Sequence, residues 1–278
     1  MAIKDILLTL ESYPDPTPVG AIDRAVSLAS MLGAHLAAIA CEVHVEIPGS
    51  FLSGDGHVGA VVADEAQKSR RNAQDLLAAF EASARRSDVL HEIIHDRCLT
   101  TDLPNLLVDH ARLRDLTIIP VPVSPDQWHA EALIFGGGRP VLVLPETSSS
   151  AGIELNRVVV AWDFSRAAAR AVSDAIPLLE KAREVCILTV MREKDIASRR
   201  SSRELARNLA RHGIDVVAED VDAGGQPIGN VLAAQLAARK ADLLVMGAYG
   251  HTRFREFILG GATRSILSRP SVPVLLSH

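Results

Sequence analysis

Short unbroken apolar runs alternate along the chain with longer stretches whose apolar residues recur every three or four positions. In the second half, the runs at 158–162, 185–190, 216–221, 243–246 and 272–276 predict buried strands. Between them, 167–181, 201–212, 228–240 and 263–268 carry helical periodicity. Regular alternation of this kind predicts a parallel sheet covered by helices on both faces, a doubly wound, Rossmann-like α/β fold. In such a sheet a ligand sits beyond the carboxyl ends of the strands.

The first half repeats the scheme. Residues 4–11 (KDILLTLE) parallel 156–163 (NRVVVAWD), each an apolar strand ending in an acid. Each is followed by a helical stretch containing Arg-Ala-Val-Ser, at 24–27 and 170–173. Residues 115–120 (DLTIIP) parallel 242–247 (DLLVMG), and each half closes on a Pro-Val strand, at 140–144 and 273–276. Four matches in the same order predict two copies of one domain, 1–146 and 153–278, joined by a polar linker of small residues. The first copy adds a Gly-containing insertion at 48–60 before a helix at 64–86. The insertion reads as a mobile loop.

Composition narrows the class. The chain has 278 residues, 48% hydrophobic and 23% charged, enough apolar surface for two cores. The net charge of -5 argues against general binding to nucleic acid or an anionic membrane. It hides an asymmetry: residues 1–150 carry -9 and residues 151–278 carry +4. An anionic ligand therefore suits the second copy better. Cys41, Cys98 and Cys186 are too few and too scattered for a disulfide scaffold or a clustered metal site. The first residues carry a charge of each sign before a short apolar run, which reads as a strand opening rather than a signal peptide. No apolar run is as long as the ~20 residues of a membrane helix. The expected location is cytoplasmic.

Chemistry concentrates in one loop. Gly247-Ala248-Tyr249-Gly250 is followed by Gly260-Gly261-Ala262-Thr263, between a predicted strand end and a predicted helix start. Glycines there let the backbone approach a ligand, and the first helical turn offers free N–H donors and a positive dipole end. Phosphate suits such a loop, with Arg253 and Arg255 adding charge and Thr263 a hydroxyl. The same glycines also suit a wide turn that binds nothing.

These features together resemble the universal stress protein family: Gly247-x2-Gly250-x9-Gly260, the strand end Asp163-Phe164-Ser165, and the closing Pro273-Val274-Leu275. Two copies in one chain are similar to its tandem members. The resemblance implies a five-stranded parallel sheet per domain, an adenine nucleotide alpha-hydrolase-like fold, dimer-like packing of the domain pair, and in some members bound ATP. Carried over by position, it puts Asp163 and Val190 near adenine and ribose, with Met246 and Gly247 lining the same part. Gly250, Gly260 and Gly261 would cradle phosphates. Family members that bind ATP usually place Ser or Thr where this chain has Gly261, so one hydroxyl contact is missing. In the first copy, Glu11 replaces the acid and Pro120-Val121-Pro122 replaces the glycine turn, removing N–H donors. That copy is expected to be structural.

Other signals point to no chemistry. His91 and His95 are four residues apart on a predicted strand, about 13 Å, too far for one metal ion. Cys41 and His44, read as following a strand, have no partner ligands nearby in sequence, and Cys186 reads as a small core residue. Arg199, Arg200, Arg203, Arg207 and Arg211 recur as a solvated helix face. No metal site and no catalytic group is expected, and Mg²⁺ is left open. The sequence thus predicts a stress-response protein that binds ATP in its second domain and signals to a protein partner. The rival readings are a nucleotide-independent interaction module, with a homodimer as one form, and a slow ATPase.

Overall fold

A computed structural model describes residues 2–44, 57–121, 128–145, 152–191, 201–248 and 261–278, with backbone alone at 57–60 and 128. The chain forms two compact units, one built on residues 4–120 and the other on 121–145 with 153–278.

The first unit contains β1 (Asp5–Leu10), α1 (Val19–Leu32), β2 (His35–His44), α2 (His57–Arg86), β3 (His91–Leu99), α3 (Leu103–Arg112) and β4 (Leu116–Val121). Its strands pair in the order β3-β2-β1-β4, all parallel. Ile6, Leu7 and Leu8 are fully enclosed, as continuous apolar runs must be when helices cover both sheet faces. Gly33 ends α1 in the left-handed region (φ 58°), where its N–H reaches Ala29 O and Ser30 O. That conformation favours glycine because it has no Cβ to clash.

The second unit contains α4 (Trp128–Gly136), β5 (Val141–Pro145), β6 (Arg157–Ala161), α5 (Arg166–Leu179), β7 (Glu184–Met191), α6 (Ser202–Arg211), β8 (Val216–Asp222), α7 (Ile228–Arg239), β9 (Leu243–Gly247), α8 (Gly261–Ser268) and β10 (Val274–Ser277). Strands β10-β9-β6-β7-β8 form a five-stranded parallel sheet. Strand β5, encoded by the first repeat, extends that sheet antiparallel to β10, with Leu142 opposite Leu275. The doubly wound α/β class expected from the sequence is the one the chain adopts.

Three local expectations change. The helix expected at 64–86 begins at His57, taking the last four positions of the 48–60 insertion; residues 48–56 lie outside the described residues. Cys41 and His44 lie inside β2, not after it. Strand β8, expected to be buried, is an edge strand with Val217 44% exposed and Glu219, Asp220 and Asp222 in solvent. An edge strand tolerates this because only one neighbour and one flank cover it.

Candidate functional site

The carboxyl ends of β7, β6 and β9 lie side by side. Ala161 on β6 stands opposite Leu188 on one side and Met246 on the other. Side chains alternate along a strand, so Val190, two residues beyond Leu188 on β7, projects on the same face as Met246, and Asp163 lies two residues past the end of β6. Asp163 is exposed, Val190 half-buried and Met246 buried. Three of the expected residues thus share one end of the sheet.

The turn that carries Asp163 is shaped locally. Phe164 adopts φ 62°, unusual for a bulky residue, and the Asp163 Oδ1 accepts the Ser165 N–H at 3.1 Å. Ser165 then caps α5, its hydroxyl accepting the Ala168 N–H at 3.0 Å. One carboxylate oxygen of Asp163 is therefore committed to the turn, and the other has no hydrogen bond among the described residues. Beside it, the Trp162 and Phe164 rings lie 5.5 Å apart at 60°. The buried Trp162 Nε1 and Thr189 Oγ1 have no hydrogen-bond partner among the described residues. Neither Trp162 nor Thr189 was singled out from the sequence, where an aromatic ending a strand reads as core.

Gly247 ends β9 against the first turn of α5. A Cβ there would lie 2.4 Å from Ala168 N and 2.6 Å from Ala167 C. Close packing alone therefore requires this glycine. The next residue is pinned on both sides: Ala248 N–H donates to Ser277 O at 2.8 Å, and Ala248 O meets His278 Nδ1 at 3.0 Å. His278 also stacks edge-on against Phe135, with centroids 5.0 Å apart.

Gly261 differs. It opens α8, is exposed, and a Cβ there would meet no described residue within 4 Å. Thr263, offered as a hydroxyl donor, is 1% exposed and faces the interior. Gly250 and Gly260, with Arg253 and Arg255, lie outside the described residues. In the first unit, Pro120 and Val121 are the last residues of β4, so the strand runs on through the position of the glycine turn.

Sequence reading also missed a charged group in the first unit. Glu42 is buried on β2, and its carboxylate meets Arg97 at 2.8 Å, His95 at 3.2 Å and Arg70 at 3.5 Å. Burial alone would raise its pKa, but the Arg97 hydrogen bonds, helped by Arg70 and His95, hold the carboxyl below its ordinary range. His91 instead bonds Val89 O at 2.8 Å and lies edge-on to Phe80. Arg203, Arg207 and Arg211 are exposed on α6. Among the described residues, no three His, Cys, Asp or Glu side chains are placed to share a metal ion, and no helix is long and apolar enough to cross a membrane.

Comparison with known proteins agrees with this fold. Residues 154–278 match the profile of the Universal stress protein family. A 34-residue stretch is 50% identical to "Universal stress protein Slr1230" of Synechocystis sp., a match spanning 12% of each chain. Over 98% of its length the chain superposes on 97% of a universal stress protein from Archaeoglobus fulgidus, at 15% identity and a TM-score of 0.68. A putative universal stress protein from Pseudomonas aeruginosa aligns over 99% of this chain and 93% of its own, at 17% identity and a TM-score of 0.60. Likeness at these identities speaks to the fold.

Proposed function

We propose that this chain, whose residues 154–278 belong to the universal stress protein family, binds an adenine nucleotide at the carboxyl ends of β7, β6 and β9 and passes that state to a protein partner in the cytoplasm. The observation that carries this reading is the meeting of Asp163, Val190 and Met246 at one end of the sheet, together with a helix start at Gly261 that no described residue crowds. An apolar floor with one exposed carboxylate suits a base and ribose, the acid accepting hydrogen bonds through its uncommitted oxygen. A helix N-terminus without side-chain bulk suits phosphate, since its first N–H groups have no partner within the helix. The residues present thus fit ATP, with Gly261 supplying backbone approach in place of a hydroxyl.

Isothermal calorimetry with ATP, ADP and AMP, together with mass analysis of nucleotide carried through purification, tests this. A saturable heat lost in Asp163→Ala is expected. No heat at millimolar ATP and no carried nucleotide would sink the reading.

A second reading has its own support. Packing against α5 explains Gly247 without any ligand. If the chain is a nucleotide-independent interaction module, partner binding is unchanged by ATP, whereas the first reading requires it to change.

A further inference from the structure

The unit without the glycine loop holds a pair of thiols. Cys41 on β2 and Cys98 on β3 are both free. In the parallel register Cys41 faces Asp96, and Val43 faces Cys98. Side chains at Cys41, Asp96 and Cys98 therefore project from one face of the sheet. Cys41 is 3% exposed and Cys98 is half-buried on a strand that, among the described residues, pairs with β2 alone.

We propose that Cys41 and Cys98 form a two-coordinate site for a soft monovalent cation, copper(I), bridged between β2 and β3. Spacing selects a bridge over a direct sulfur–sulfur bond. Two residues advance about 6.6 Å along a strand and neighbouring strands lie about 4.8 Å apart, which sets the two Cα atoms about 8 Å apart. A disulfide needs them within roughly 7 Å, so it would require β3 to shift. Two metal–sulfur bonds of about 2.3 Å each span the longer gap.

Charge points the same way. Reactive, readily oxidised cysteines sit in electropositive surroundings. Here Asp96 stands opposite Cys41 in the register and two residues before Cys98, on the same face of the sheet. Acids beside two sulfurs repel a bare thiolate and attract a cation. Two soft thiolates with no third ligand among the described residues suit copper(I), which accepts two thiolates, better than zinc, which takes four ligands. Binding is an exchange without redox change: Cu⁺ joins two thiolates, and two protons leave to solvent. Scattered spacing in sequence hid the pair, because only the strand register brings positions 41 and 98 together.

The whole chain, reduced and kept under nitrogen, is titrated with Cu(I) held by bathocuproine disulfonate, whose colour reports metal surrendered to the protein. A Cys186→Ala background removes the third thiol. One copper per chain is expected, with an X-ray absorption shell of two sulfurs. Cys98→Ser and Cys41→Ala are each expected to abolish that competition while retaining the wild-type circular dichroism. Copper retained in either variant, or a shell containing nitrogen or oxygen, overturns the proposal. Should a variant fail to fold, iodoacetamide labelling of wild-type protein decides at Cys98, the more accessible thiol: copper is expected to shield it, and equal labelling with and without copper overturns the proposal. A disulfide between Cys41 and Cys98 forming under mild oxidation, with no copper bound beforehand, also overturns it.

Discussion

Gly247 and Ala168 are packed backbone to backbone: a methyl group on the glycine would stand 2.4 Å from the alanine nitrogen. The neighbouring atoms are main chain at the start of α5, which cannot swing aside as the end of a flexible side chain would. Gly247→Ala is expected to cost about 1–3 kcal/mol through overpacking, whether or not nucleotide is present. Urea unfolding in the presence and absence of ATP checks this. A wild-type midpoint would show that β9 and α5 have room to separate.

Gly261 makes the opposite case. No described residue lies within 4 Å of a Cβ there, so Gly261→Ser should leave stability unchanged or slightly raised. If phosphate sits at this helix start, the new hydroxyl adds a bond to a charged group of about 1.5 kcal/mol, roughly a tenfold tighter Kd for ATP. Calorimetry on the two proteins measures the ratio. Equal affinities would place phosphate elsewhere.

Ser165 holds the turn behind Asp163 by capping α5 at 3.0 Å. Ser165→Ala is expected to destabilise the protein by about 1 kcal/mol, and Ser165→Asp to restore most of the loss. Thermal or denaturant melts of the three proteins report this. A nucleotide affinity that falls in the alanine variant and recovers in the aspartate variant would tie the turn to the site.

Glu42 predicts a pH dependence. Its carboxyl titrates below its ordinary value in the folded chain, whereas the unfolded chain has an unperturbed value of about 4.3. The stability it contributes is full above about 4.3 and is lost as pH falls through the lower folded value, because the unfolded state takes up the proton first. Glu42→Gln should lower stability at neutral pH and flatten its decline below about pH 4.3. The Arg97 and Arg70 side chains are more than half exposed. The loss should therefore stay well under the about 3–5 kcal/mol of a fully buried pair. Urea midpoints from pH 3 to 7 give the comparison, and parallel curves for the two proteins would refute it.

Much of the fold was legible because strands enclosed on both faces spell themselves as apolar runs: Val158 to Val160 and Leu243 to Met246 stand where the pattern puts them. Strand β8 carries Val216 and Val217 but lies at the edge, and no local pattern distinguishes an edge valine from a buried one. The strand-end residues Asp163, Val190 and Met246 were named as a group through the family resemblance, and the parallel strand order brings those strand ends together. The Phe164 turn and the unpartnered Trp162 were not, since backbone angle and orphaned hydrogen-bonding atoms leave no mark in composition. The Glu42 cluster was hidden for another reason. Its cations come from α2 and β3, and only tertiary packing joins them to β2.

Strand β5 separates the unit of repetition from the unit of folding. Its residues are written in the first repeat, yet its hydrogen bonds are made with β10 of the second. A protease nick in the 146–152 linker would therefore not free an intact second domain. It would leave two pieces still held through the β5–β10 ladder. A fragment starting at residue 153 would present β10 with bare N–H and C=O groups, a template for any strand that can align with Leu275. The smallest piece of this chain that keeps the β5–β10 ladder with the second sheet begins near residue 121, inside what the repeat marks as its other half.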